Sequence, residues 1–117
     1  MKVFVYFNLH KKVWSVKALS GPNKGRVIAH VDRLVLDDCT FKVSEAGRQR
    51  VLREKRKNVH AGVVGTLTHQ NWRFVGVPVT YNPYKYSSFV NRLNEQPIHK
   101  AHMVLLDGRT VVAIPLE

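Results

Sequence analysis

Apolar and polar residues alternate along most of the chain with a period of two, the spacing of half-buried strands. Lys2 to Asn8 sets Val3, Val5 and Phe7 against Phe4, Tyr6 and Asn8, and Val13 to Leu19 resumes the pattern after His10, Lys11 and Lys12. This predicts a hairpin with both faces partly apolar. Residues Ser20 to Gly25, SGPNKG, form a turn cluster, and Arg26 to Leu36 then alternates Val27, Ala29 and Val31 against Ile28 and His30 before a continuous LVL. Asp37 and Asp38 predict a turn, and Thr40 to Val43 a short strand. Val59 to Leu67 reads as a strand in which Gly62 and Gly65 mark bulges or close backbone approaches. His69, Gln70 and Asn71 read as a turn, and Trp72 to Thr80 as a strand that Pro78 confines to an edge or a bulge. After a loop at NRLNEQP, Ile98 to Leu106 and Arg109 to Ile114 form a hairpin around Asp107-Gly108, a dipeptide that favours a type I′ turn.

The period changes once, between Ser44 and Val59, SEAGRQRVLREKRKNV, which predicts the helix of the protein. Ser44 can cap the first turn, Glu45 suits the positive end, and Lys55, Arg56 and Lys57 suit the negative end. Asn58 is the expected left-handed stop. Val51 and Leu52, with Val59 beyond them, supply only a narrow apolar stripe. From Arg48 to Lys57, six cations face the single acid Glu54, a net +5 of the chain's +11. Like charges such as Arg50 with Arg53 and Arg53 with Lys57 destabilise an isolated helix. The expectation is that a phosphorylated partner sits against them.

At 117 residues and 44% hydrophobic, the chain is read as a single domain, residues 1–117, with enough core to fold without staples. The lone Cys39 excludes an internal disulfide and every multi-cysteine zinc site, and suits a reducing cytoplasm. With no adjacent cation or helix start it reads as buried and inert. No run of about 20 apolar residues is present, and the start MKVFVYFNLHKK lacks the features of a signal peptide. The basic helix also lacks an apolar face able to enter a membrane. The positive charge instead favours polyanions: nucleotides or nucleic acid.

Candidate chemistry follows from that charge. Lys24, Arg26, Arg48, Arg50, Arg53, Arg56, Lys57, Lys85 and Arg109 are candidate phosphate ligands, the arginines as bidentate forks. The stretch YNPYKYSSF offers Tyr81, Tyr84, Tyr86 and Phe89 as stacking faces, and Asn82 and Asn91 as readers of a base edge. Metal binding is not expected: His99 and His102 are spaced so that a strand turns them to opposite faces. Catalysis is not expected either. Asp37 and Asp38 diverge on a strand, no phosphate loop, dinucleotide fingerprint or nucleophile elbow is present, and His60 reads as a half-buried strand residue. No cofactor is implied.

Two resemblances bear on function. ALSGPNKGRVIAHV, residues 18–31, resembles the KOW motif of ribosomal and transcription-elongation proteins through Leu19, Gly21, Lys24, Gly25 and the apolar alternation that follows. It departs from that motif at Val27 and Ile28, where another glycine is usual. This resemblance implies an RNA- or protein-binding turn of an SH3-like barrel. Over most of the chain, NLHKKVWSVKAL, GRVIAHVDRLVL, VSEAGRQRVLREKRKNVHAGVVG and VTYNPYKYSSFV resemble small basic proteins of phages and prophages, and within them the first-described Thoeris anti-defence family. That resemblance implies an oligomeric sponge that captures a cyclic nucleotide immune signal in the host cytoplasm without cleaving it.

The sequence therefore predicts an α+β protein: a curved antiparallel sheet or partial barrel of about six to eight strands with one basic amphipathic helix. A homo-oligomer is expected from its edge strands and exposed aromatics. The expected function is non-enzymatic sequestration of a phosphorylated nucleotide. The alternatives are a nucleic-acid-binding module and an inhibitor of a host nucleic-acid-binding protein.

Overall fold

The alternating stretches pair into one antiparallel sheet in the computed structural model, which describes residues 1–68 and 75–116. The described residues form nine strands, one more than the upper expectation: β1 (Lys2–Asn8), β2 (Val13–Ala18), β3 (Val27–Val31), β4 (Arg33–Val43), β5 (Ala61–Leu67), β6 (Val77–Thr80), β7 (Val90–Asn91), β8 (Lys100–Asp107) and β9 (Thr110–Pro115). The helix α1 (Glu45–Glu54) lies between β4 and β5. The hydrogen-bonded order is β3-β2-β1-β5-β4-β8-β9-β6-β7. The ladder stays open and does not close into a barrel.

The connectivity nevertheless forces the sheet to curl. Asp32 alone joins β3 to β4, although β2, β1 and β5 stand between those strands in the ladder. Strands spaced about 4.8 Å apart put β3 and β4 on the order of 19 Å apart if the sheet were flat, far beyond the reach of one residue. The predicted continuous alternation of Arg26 to Leu36 is thus one stretch of chain broken at Asp32 into two strands. The inner face of the curl is the core: Val3, Val5, Val16, Leu36, Val63, Val104, Leu106 and Ala113 are at most 2% exposed. Its outer face carries their alternates, including Phe4, Tyr6 and Lys17.

Three local expectations are corrected. Asp37 and Asp38 do not turn the chain; they form a bulge inside β4, where the register shifts between Asp37 and Thr40 and Asp38 has φ 48°. The extra residue bends the long strand. The β8–β9 turn is Gly108-Arg109, with positive φ (58°) at Gly108 only; that is the pattern of type II′ rather than I′. The helix stops at Glu54, since Lys55, not Asn58, takes the left-handed conformation (φ 54°) and returns its N–H to Val51 O at 2.8 Å. Ending there frees Arg56 to Asn58 to run across to β5. Val59 is consequently off the helix and 54% exposed, leaving Val51 as its buried residue.

Other expectations hold, with an exception at Pro78. Ser44 caps α1, its Oγ accepting from Gly47 N at 3.2 Å. The β1–β2 turn is fastened by Asn8, whose Oδ1 accepts from the N–H groups of His10 and Lys11, each at 3.0 Å. Pro78 departs from expectation: β6 is neither an edge nor bulged, being paired with β9 through Val112 on one side and with the two-residue strand β7 on the other, and β7 leads into the predicted loop at NRLNEQP. The predicted turn His69 to Asn71 and the start of the predicted strand at Trp72 to Phe74 lie outside the described residues.

Candidate functional site, a basic-rimmed aromatic cleft

The curl leaves a cleft of about 610 Å³ on its inner side. It is lined by Phe7, Leu9 and Trp14 from the β1–β2 hairpin, by the core residues Val63, Val79, Leu106 and Val111, and by an aromatic group of His60, Tyr81, Tyr84 and Phe89 with Asn82 beside it. Lys57 and Arg109 contribute the cationic groups at its edge, and the described lining residues include no Asp or Glu. Arg109 stands over the Phe7 ring, with its guanidinium carbon 5.3 Å from the ring centroid. The β8–β9 turn thereby meets the end of β1, three places away in the ladder.

The aromatic group is anchored in the core. Tyr81 lies 5.2 Å from Phe89 and Phe89 5.0 Å from Phe41, both pairs tilted, while His60 meets Tyr81 edge-on at 5.5 Å. Tyr81 Oη and His60 Nε2 are 2.7 Å apart, and His60 Nδ1 reaches Asn58 O at 3.1 Å. Both imidazole nitrogens are therefore engaged. Partial burial raises the Tyr81 phenol above its ordinary value, so its hydroxyl remains protonated through neutral pH. Trp14, packed edge-on against Phe7 at 5.2 Å, has a buried Nε1 with no hydrogen-bond partner among the described residues.

The predicted phosphate ligands separate into distinct groups. Lys57 and Arg109 line the cleft. Arg48 does not; its Nε donates to Pro83 O at 3.0 Å and Tyr86 O at 2.9 Å, and Nη1 donates to Glu45 at 2.9 Å. It clamps the tyrosine loop to α1, so its fork is occupied by the protein itself. Lys85 is paired with Glu95 at 3.1 Å, and that hydrogen bond raises its pKa. Arg50 faces Glu54 at 3.5 Å, whereas Arg53 and Arg56 are exposed and make no ion pair among the described residues. Lys24 and Arg26 sit on the β2–β3 turn, away from the cleft lining. The crowd of cations expected to hold one ligand is thus dispersed, because the helix turns its arginines to different sides and ends before Lys57.

The predicted base-binding residues divide as well. Tyr81, Asn82, Tyr84 and Phe89 line the cleft, with Tyr84 60% exposed. Tyr86 is outside it, its hydroxyl donating to Glu95. Asn82 and Asn91 spend their side-chain carbonyls on the local turn, accepting from Tyr84 N and Leu93 N at 2.9 Å each. Asn91, in β7, does not line the cleft. Phe7 and Trp14 went unselected by sequence reasoning; they are cross-strand partners in the β1–β2 hairpin, where their apolar character reads as core. His99 and His102 are both exposed, and no group of three or more His, Cys, Asp or Glu side chains able to hold a metal occurs among the described residues.

These features define a class: an open, curled antiparallel sheet whose inner side forms an aromatic cleft edged by cations. The chain matches the family described as Mycobacterium phage L5 gene 82 protein over residues 1–114 and belongs to it. It is 43% identical to the gene 82 protein of Mycobacterium phage L5 over 122 aligned positions, covering 97% of this chain and 95% of that protein. The expected phage character is therefore established. No solved structure matches the chain. Among the described residues, no helix is long and apolar enough to cross a membrane.

Proposed function

We propose that the cleft binds a phosphorylated nucleotide and releases it intact. The observation that carries this reading is the composition of the lining: Tyr81, Tyr84 and Phe89 for a base, Lys57 and Arg109 for phosphate, and no carboxylate among the described lining residues to repel an anion. The volume lies within the roughly 300–1,000 Å³ of small-ligand sites. Capture without cleavage is supported by His60, the histidine of the lining, whose two nitrogens are committed to Asn58 and Tyr81. In a phage protein such capture would withdraw a cyclic nucleotide signal from host defence in the host cytoplasm, the role implied by the resemblance to anti-defence sponges. A homo-oligomer is part of the proposal, joined through β3, an edge strand with Val27 and Ile28 exposed.

The test is equilibrium dialysis against cyclic and linear nucleotides, followed by chromatography of the recovered ligand. Binding with quantitative recovery supports the reading, and so does a shift in the fluorescence of Trp14, of the cleft lining, recorded in a Trp72→Phe background. A ligand at 100 times its dissociation constant adds about 2.7 kcal/mol of stability, readable as a thermal shift. Absence of binding at millimolar nucleotide, or recovery of fragments, refutes it. Light scattering of the purified protein tests the oligomer, which a monomer mass would exclude.

A further inference from the structure

The outer face of the sheet carries a second grouping, whose aromatic and lysine side chains do not line the cleft, although Val59 and His60 border both. Cross-strand register sets Lys17 opposite Phe4, Phe4 opposite Val64, Val64 opposite Thr40 and Thr40 opposite Lys100, a row across five strands. Cross-strand partners share a face, so the row is contiguous and spans on the order of 19 Å. Beside it stand Tyr6 and Lys42. A groove of about 580 Å³ runs past Phe4, Tyr6, Lys17 and Lys42 to Gly25, on the turn that carries Lys24 and Arg26.

The chemistry of this face is aromatic and cationic together. Phe4 and Tyr6 are half-buried neighbours with ring centroids 5.9 Å apart, tilted by 32°. The Phe4 ring lies across Gly62, where a Cβ would come within 2.6 Å of it, so the absence of a side chain there lets the ring lie against the strand. Lys17 and Lys42 form no ion pair among the described residues, and the described residues lining the groove include no Asp or Glu. Acids adjoin this row in the β4 bulge, where Asp37 lies opposite Thr66 on the neighbouring row and Asp38 is exposed beside it.

We propose that this outer face binds single-stranded nucleic acid. Bases stack on Phe4 and Tyr6 while Lys17, Lys42 and Lys100 neutralise the backbone, an arrangement that requires unpaired bases with free faces. A duplex keeps its base faces stacked internally and offers the rings nothing. A small anion would use one lysine and leave the rest of the row unoccupied.

The experiment measures fluorescence anisotropy of labelled oligothymidylate, oligouridylate and a mixed-sequence duplex across a salt series. Single strands of either sugar bind, and the duplex binds more weakly. Charge reversal by Lys17→Glu with Lys42→Glu lowers single-strand affinity by about tenfold or more, and removal of each phosphate contact lowers the log-log salt slope by about 0.7. Tyr6→Leu and Phe4→Leu each weaken binding by about five- to a hundredfold, the range of one base–aromatic stack. Melting temperatures monitor the fold, and the lysine pair carries the test if a ring substitution unfolds the protein. Unchanged affinity in the lysine variant, or duplex binding as tight as single-strand binding, overturns the proposal. Arg109→Ala, on the cleft, leaves oligonucleotide affinity unchanged; a loss equal to that of the lysine variant places the strand in the cleft and overturns it too.

Discussion

Replacing Arg48 by Met separates a clamp from a ligand group. The substitution keeps the aliphatic stem but removes the Nε donor shared by Pro83 O and Tyr86 O. The Arg48 side chain is only 17% exposed, so water does not simply replace the donor. One bifurcated, charge-assisted bond is counted once, which gives about 2 kcal/mol of lost stability. The exposed contact to Glu45 adds little, and Gln49 still donates to that carboxylate at 2.8 Å. For a chain of this size about 2 kcal/mol corresponds to a fall in Tm of roughly 6–12 °C, measurable by circular dichroism. Limited proteolysis gives a second readout: cleavage between Tyr81 and Phe89 accelerates as the loop loses its hold on α1. Arg48→Lys does not restore stability, because an ammonium on a flexible stem does not reproduce the guanidinium's fixed fork. A melting temperature unchanged in Arg48→Met, together with a large loss of nucleotide affinity, would refute the reasoning and return Arg48 to the ligand.

Further outcomes follow from the same geometry. Gly47→Ala destabilises by about 1–3 kcal/mol despite alanine's better helix propensity, because its Cβ would sit 2.5 Å from His60 Cβ; urea denaturation checks the sign. Arg53→Ala and Arg56→Ala change stability by under about 0.5 kcal/mol and leave nucleotide affinity in the cleft unchanged, which calorimetry measures. Tyr81→Phe costs about 1 kcal/mol through the lost bond to His60, seen in chemical denaturation. Burial pushes the Cys39 thiol from its ordinary value of 9.0 up to about 12. The folded state therefore keeps the proton that the unfolded chain loses: this contribution is fully present below pH 9 and disappears between pH 9 and about 12, by up to about 1.4 kcal/mol per pH unit. A thiol reagent at pH 8 should label Cys39 only after unfolding.

Much of the architecture was legible from local pattern. Period-two alternation located β1, β2 and the β8–β9 hairpin because each buries one face, and Ser44 marked the start of α1 because its oxygen satisfies an orphan amide. The end of the helix was not legible. Lys55 adopts a conformation that favours glycine or asparagine, and it does so where the chain returns to β5. The Asp37-Asp38 bulge was not legible for a related reason: a bulge and a turn share the same polar signature, and only pairing on both sides of β4 decides between them.

What the sequence determined by itself is the class of protein and its chemistry: a basic, strand-rich chain with one cationic helix, an inert cysteine and an aromatic loop. Those properties depend on residue type and nearest neighbours. Which cations act together was a matter for the tertiary structure. The curl at Asp32 and the crossing of the β8–β9 turn onto β1 bring Arg109 to Phe7 and Lys57 to the tyrosines of the cleft lining. The helix meanwhile commits Arg48 to the backbone and leaves Arg53 exposed outside the cleft lining, as is Arg56 beyond its end. Charge along a chain is local, but a binding site is a convergence of side chains distant in sequence, and only the folded sheet sets those distances.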